Sequence, residues 1–176
     1  MRSRPVGSVV AAVGGLAFVL LNSPAVPGAL AWQALAVVTF GAIVWFVVIR
    51  GPKREHAMPS RGAIRTYGFS VLAMVAAILL GARVLNGPLD RPTAVLPWVV
   101  LVVGAHFLPF AGAFELPIFR LVASALVIVG LAGLVPTLSS DNAAAAGWTG
   151  VAAGLALLLF AAVGPRFSAR PVARAS

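Results

Sequence analysis

Hydrophobic residues fill six long runs of the chain, and polar or helix-breaking residues are concentrated in the short gaps between them. The runs cover approximately residues 5–21, 29–49, 66–85, 94–110, 117–135 and 143–163. A helix needs about 20 apolar residues to cross a hydrocarbon core about 30 Å thick, and each run is close to that length. The pattern therefore predicts an all-α fold, a polytopic membrane bundle of six transmembrane helices forming one domain over residues 1–176.

The first run also fits a second interpretation. Arg2 and Arg4 precede it, and Ala29 and Ala31 follow it in the A-x-A pattern of a signal-peptide cleavage site. The run is nonetheless long enough to span a bilayer if a few flanking residues join it. We favour a retained first span, and cleavage within residues 1–31 stays open as the alternative.

Composition places the chain in a bilayer rather than in water. Hydrophobic residues make up 61% and charged residues 10%, whereas a typical soluble domain is roughly half apolar and a quarter charged. The mean hydropathy is +1.03. The lipid bilayer is therefore the first expected partner.

The net charge of +9 predicts orientation rather than nucleic-acid binding. Basic residues lie in the gaps between apolar runs, and no soluble basic face or aromatic platform is evident, so nucleic acid is not expected as a partner. With both termini cytoplasmic, eleven of the 13 Lys and Arg residues lie on the cytoplasmic side, as the positive-inside rule requires. Together with a bias towards arginine, alanine and glycine, this favours the inner (plasma) membrane of a bacterium.

Residues 97–120 carry the candidate chemistry, because ionisable side chains occur there within or beside apolar runs. The segment predicts the end of the fourth helix, bent or ended by Pro109, then a tight turn containing Glu115, and a fifth helix opened by Arg120 just after Pro117. His106 lies inside the fourth run, about 18 Å from its start. Ionisable groups in a span are costly and commonly face the bundle interior or a wet cavity.

Three interpretations of His106 are open. It could be a neutral packing residue bonded to a facing helix or to a carbonyl freed by Pro109, a contact for a ligand or ion, or part of a proton relay. For Glu115 and Arg120 we favour interfacial roles, near a helix N-terminus and at lipid phosphate respectively. A polar site in which His106, Glu115 and Arg120 converge is a hypothesis that the structure can examine.

Small residues recur at intervals of four in several runs, which lets helix backbones approach closely. The sixth run contains a literal GxxxG at Gly150 and Gly154, which we interpret as a helix-packing face, with a homo-oligomer contact as the alternative. Isolated hydroxyls within the runs, such as Ser70, are expected to form interhelical hydrogen bonds.

Several kinds of chemistry lack a signature. The chain has no cysteine, and its four acidic residues all fall in predicted loops or turns, so no intramembrane carboxylate pair is expected for acid–base work or a metal. The two histidines lack metalloprotease spacing, and no phosphate-binding or nucleophile motif is present. We therefore expect no catalytic residue, no metal, no cofactor and no enzymatic activity.

The segment GAHFLPFAGAFELPIFRLVASALVIVG, residues 104–130, resembles a family of small uncharacterised bacterial six-span integral membrane proteins, a domain of unknown function. The resemblance depends mainly on Gly104, His106, Phe107 and Phe114. It implies a six-span fold and no activity.

The sequence favours a non-enzymatic membrane protein that acts as an accessory, lipid-interacting or assembly component. The alternative is a small transporter or channel with a pathway involving His106. A third and weaker hypothesis is an intramembrane enzyme that uses His106 with Glu115 or Arg120. No small-molecule substrate can be named from the sequence.

Overall fold

The computed structural model describes residues 2–3, 6–51, 54–55, 61–113 and 117–167. It contains six α-helices, which are α1 (Val6–Asn22), α2 (Ala29–Ile43), α3 (Arg61–Asn86), α4 (Val95–Ala113), α5 (Pro117–Ser140) and α6 (Ala143–Phe167). Six helical segments are long and apolar enough to cross a membrane. The prediction of an all-α, six-helix membrane bundle is confirmed.

Shorter elements connect or extend these helices. A six-residue π-helix, Val44–Ile49, continues α2, and 3-10 turns occupy Ser23–Ala25 and Pro92–Ala94. A two-residue strand β1 (Arg2–Ser3) pairs antiparallel with β2 (Arg54–Glu55). This pairing holds the start of the chain beside the long connection between α2 and α3.

The helices run beyond the apolar stretches that predict them. Helix α3 begins at Arg61 rather than near residue 66, and α5 continues to Ser140 rather than ending near residue 135. Pro109 lies inside α4, which continues to Ala113, so the expectation that this proline could end the helix is wrong. A helix forms hydrogen bonds among its own backbone groups. A membrane helix tolerates the loss of the one hydrogen bond that an internal proline removes.

The helices pack in the order α3–α4–α5–α6–α1–α2, so α3 and α2 lie at the two ends of the arrangement. Helix α6 is the centre, with α1 and α5 as its main neighbours. In the membrane-spanning segment of α6, 56% of the residues are buried, whereas the share is 11% in the segments of both α2 and α3. The peripheral helices therefore present most of their surface to the membrane.

Two apolar clusters meet on different sides of α6. Leu158 packs with Val19 and Ile43 from α1 and α2, whereas the neighbouring Leu157 packs with Val100 and Leu126 from α4 and α5. Adjacent positions on a helix point about 100° apart, which is why consecutive leucines serve different clusters. The bundle core is thus continuous through α6, while α3 is attached mainly through α4.

Candidate functional site

A polar pair joins α3 to α4 inside the membrane-spanning region. The Nδ1 atom of His106 lies 2.8 Å from the Ser70 hydroxyl oxygen and 3.2 Å from the Ser70 carbonyl oxygen. The same hydroxyl donates to the His106 carbonyl over 3.4 Å. Side chain and backbone of each residue therefore contact the other, 36 positions away in the chain.

The second ring nitrogen of His106, Nε2, has no hydrogen-bond partner among the described residues. The side chain of His106 is half-buried, while Ser70 is buried. One side of the imidazole is thus held by α3, and the other has no hydrogen-bond partner in the part of the chain that the structure describes.

Aromatic rings surround the imidazole on the side nearer the C-terminus of α4. The ring of Phe110 meets it edge-on at 4.6 Å between centroids, and Phe107 lies at 5.6 Å. Tyr67 of α3 stacks on Phe110 at 5.4 Å, and Phe119 of α5 stacks on Phe107 at 6.0 Å. This aromatic cluster joins three helices and limits the orientations available to His106.

The pair lies within segments that are apolar enough to cross a membrane. The segment that contains α4 covers residues 92–112, so His106 is six residues, or about 9 Å, from its nearer end at 1.5 Å per residue. Tyr67, whose ring stacks on Phe110 beside the imidazole, is 51% exposed. An exposed side chain within a membrane span faces lipid, so the site lies at the side of the bundle.

A second side-chain contact holds α3 and α4 together nearer the other membrane surface. The indole Nε1 of Trp98 donates to the Ala77 carbonyl over 3.0 Å. The indole occupies the space beside Gly81, where a Cβ would collide with the ring. Ser70, Ala77 and Gly81 follow the three-to-four-residue spacing of one helix face, so this face of α3 carries its main polar and close contacts.

The other members of the hypothetical convergent site are not joined to this pair. Arg120 is exposed at the start of α5, and within the described part of the chain its guanidinium has no hydrogen bond or ion pair with His106 or any other residue. Glu115 lies outside the described residues. Convergence of His106, Glu115 and Arg120 therefore stays a prediction.

The two glycines of the GxxxG pattern lie between α6 and α1. A Cβ added at Gly154 would come within 2.6 Å of the Gly15 carbonyl oxygen, and one at Gly150 would collide with the Asn22 side chain. These contacts are internal to the chain. They account for the pattern through intramolecular packing, and a homo-oligomer remains a separate prediction.

Sequence reasoning identified His106 and Ser70 separately but not their pairing, and it overlooked Tyr67. It also did not predict that the indole of Trp98 binds the backbone of α3. The spacing of Ser70, Ala77 and Gly81 on one face of α3 is the signal that could have predicted the contact with α4.

In the described part of the chain, no group of three or more histidine or acidic residues is close enough together to hold a metal ion. Comparison of the chain with protein-family models, curated proteins and solved structures finds no match. The contacts of the site itself are therefore the basis for inferring a function.

Proposed function

We propose that this chain is a non-enzymatic accessory protein of the bacterial plasma membrane that binds a lipid or other amphiphile at the α3–α4 site. The observation that carries the proposal is the half-buried imidazole of His106, which has Nδ1 engaged by Ser70 and Nε2 without a partner among the described residues.

An open ring nitrogen at this depth favours the binding of a complementary group. Hydrocarbon offers no hydrogen-bonding partner, so a polar atom facing it is unfavourable, and an amphiphile that supplies a partner removes that cost. The exposure of Tyr67 supports entry from the membrane phase rather than from water.

The distribution of charge supports a topology with both termini in the cytoplasm. The strongly basic connection between α2 and α3, residues 50–60, then faces the cytoplasm, as does the nearer end of α4. His106 would lie in the cytoplasmic half of the bilayer. The lipid involved is then one that is present in that leaflet.

Photolabelling tests the proposal. Purified protein in vesicles would be exposed to a diacyl lipid carrying a photoactivatable group close to its head, and the labelled residues would be mapped by mass spectrometry. We expect labelling at Tyr67 to exceed that at Phe46, which is 64% exposed in the π-helix that continues α2, at the opposite end of the packing order from α3. His106→Phe should remove the difference. Equal labelling at both positions in the unmodified protein would contradict the proposal.

Cysteine labelling separates this function from transport. Because the chain has no cysteine, a single cysteine at position 106 can be probed with a water-soluble thiol reagent from each side of sealed vesicles. Gly62→Cys and Leu89→Cys, both at exposed positions, report the two aqueous sides. We expect the controls to react and position 106 to remain unlabelled. Labelling at 106 would favour the transporter or channel alternative.

A further inference from the structure

The three contacts between His106 and Ser70 favour one position for the hydrogen on the imidazole ring. If Nδ1 were unprotonated, it would face the Ser70 carbonyl oxygen at 3.2 Å with no hydrogen between two acceptors. If Nδ1 carries the hydrogen, it donates to the Ser70 oxygens, and the Ser70 hydroxyl is free to donate to the His106 carbonyl. Only this second arrangement gives every contact a donor and an acceptor, so the geometry favours the neutral imidazole with its hydrogen on Nδ1.

The open Nε2 is consequently a hydrogen-bond acceptor. In neutral histidine one ring nitrogen donates and the other accepts, and the hydrogen bond at the first sets the role of the second. A ligand that satisfies Nε2 must therefore supply an N–H or O–H donor.

A complementary donor lies in the same aromatic cluster. Tyr67 stacks on Phe110, the ring that the imidazole also contacts, at centroid distances of 5.4 and 4.6 Å respectively. The Tyr67 hydroxyl has no hydrogen-bond partner among the described residues. Two rings flanking Phe110 thus present one open acceptor and one open donor.

The depth of the site restricts the charge of the ligand. His106 lies about 9 Å from the nearer end of its apolar segment, and a charged group inside a membrane span is costly. An ammonium or phosphate head would have to leave the headgroup layer and lose its hydration. A hydroxyl carries no charge, donates through its hydrogen and accepts through its oxygen, so its two roles are complementary to the acceptor on His106 and the donor on Tyr67.

We propose that the α3–α4 site binds a lipid whose head is a neutral hydroxyl group, with the ligand O–H donating to His106 Nε2 and the Tyr67 hydroxyl donating to the ligand oxygen. This inference rests on the proposed function and specifies its ligand class. The acyl or prenyl chains would lie along the exposed surface of α3 and α4.

Competition between two matched lipids tests the inference. The full chain in phosphatidylcholine nanodiscs would be labelled with a photoactivatable diacylglycerol, and unlabelled dioleoylglycerol or its methyl ether would compete. The ether keeps both chains and the oxygen but lacks the donor. We expect the ether to compete about fivefold less well or worse, since one hydrogen bond contributes about 1 kcal/mol.

Variants locate the binding. His106→Phe should weaken competition by dioleoylglycerol about fivefold or more, and Tyr67→Phe should weaken it by a smaller factor. Phe69→Leu serves as the control, because Phe69 is on the same helix and is 76% exposed. If His106→Phe does not fold, Tyr67→Phe removes only an exposed hydroxyl and still tests the assignment.

The outcomes distinguish the ligand class from the function. If the ether competes as well as dioleoylglycerol but His106→Phe still weakens binding, the hydroxyl assignment is overturned and an amphiphile site remains. If neither His106→Phe nor Tyr67→Phe changes binding in the folded protein, the inference and the proposed function both fail.

Discussion

The α1–α6 and α3–α4 interfaces both join membrane-spanning helices, but they do so with different parts of the chain. At α1–α6 the backbones meet, because a Cβ at Gly15 would lie 2.7 Å from the Gly154 carbonyl oxygen. At α3–α4 the polar side chains of His106 and Trp98 reach across to Ser70 and to the Ala77 carbonyl.

This difference indicates that the α1–α6 interface is structural and that the α3–α4 interface carries the candidate site. Glycine contacts bring helices together through close van der Waals packing, and within α1 and α6 the backbone donors and acceptors are used by the helices themselves. Side-chain contacts can leave a polar atom available to a ligand, because an imidazole has two nitrogens and Ser70 contacts only one of them. The more deeply buried α1–α6 interface therefore makes the bundle rigid. The peripheral α3–α4 interface carries a polar atom that a ligand can bind.

The largest expected effect comes from enlarging a glycine at the backbone contact. Gly154→Ala would place a methyl group against the Gly15 carbonyl oxygen and the Val19 backbone nitrogen, at 2.6 and 2.9 Å. Because neither backbone atom can move independently of its helix, we expect the free energy of unfolding to fall by about 1–3 kcal/mol. Reversible unfolding in mixed detergent micelles, followed by circular dichroism, measures the change.

Gly41→Ala is the matched control, because Gly41 lies inside α2 with nothing within 4 Å of an added Cβ. Alanine favours helix over glycine by about 1 kcal/mol in water, so Gly41→Ala should leave stability unchanged or raise it slightly. A loss at Gly41 equal to that at Gly154 would show that the effect does not arise from the α1–α6 contact.

The number and approximate positions of the helices could be predicted from the sequence, but their packing order could not. Apolar runs of membrane length predict spans directly, whereas a span that is apolar all round carries little information about which side meets another helix. Gly150 and Gly154 predicted a packing face, yet the choice of α1 over the other helices with small residues depends on the three-dimensional arrangement.

The same limit applies to the candidate site. His106 was conspicuous because it is an ionisable residue inside an apolar run, but several hydroxyl residues in other runs could have faced it. Only the packing of α3 on α4 selects Ser70. The position of Arg120 on the exposed side of α5 likewise follows from the packing of that helix, which the sequence alone does not specify.

A smaller effect is expected from the indole that holds α3. Trp98→Phe removes the hydrogen bond to the Ala77 carbonyl and part of the contact with Gly81. We expect a loss of about 1–2 kcal/mol in the free energy of unfolding. Trp148→Phe is the control, since Trp148 is 44% exposed and its indole has no hydrogen bond to the described residues. Equal losses would argue against a specific role for the α3–α4 contact.

The polar pair should contribute less than the indole. In a double-mutant cycle of Ser70→Ala and His106→Phe, we expect a coupling energy of about 0.6 kcal/mol, because interhelical hydrogen bonds in membranes are typically of that size. A second cycle, of Ser70→Ala with Phe69→Leu, should give a coupling near zero. Coupling energies of the same size in both cycles would mean that the cycles measure a general change in α3 rather than the interaction between Ser70 and His106.

The last prediction concerns which ring nitrogen of His106 carries the hydrogen. It tests whether Nε2 at the α3–α4 interface is a hydrogen-bond acceptor. Nitrogen-15 NMR of the protein with labelled histidine distinguishes a protonated from an unprotonated ring nitrogen, and His56→Gln leaves His106 as the single histidine. We expect Nδ1 to carry the hydrogen and Nε2 to be unprotonated. Ser70→Ala should preserve this tautomer, because the Ser70 carbonyl at 3.2 Å still accepts from Nδ1. A hydrogen on Nε2 would instead make the site a donor, and a ligand hydroxyl could then bind only as an acceptor.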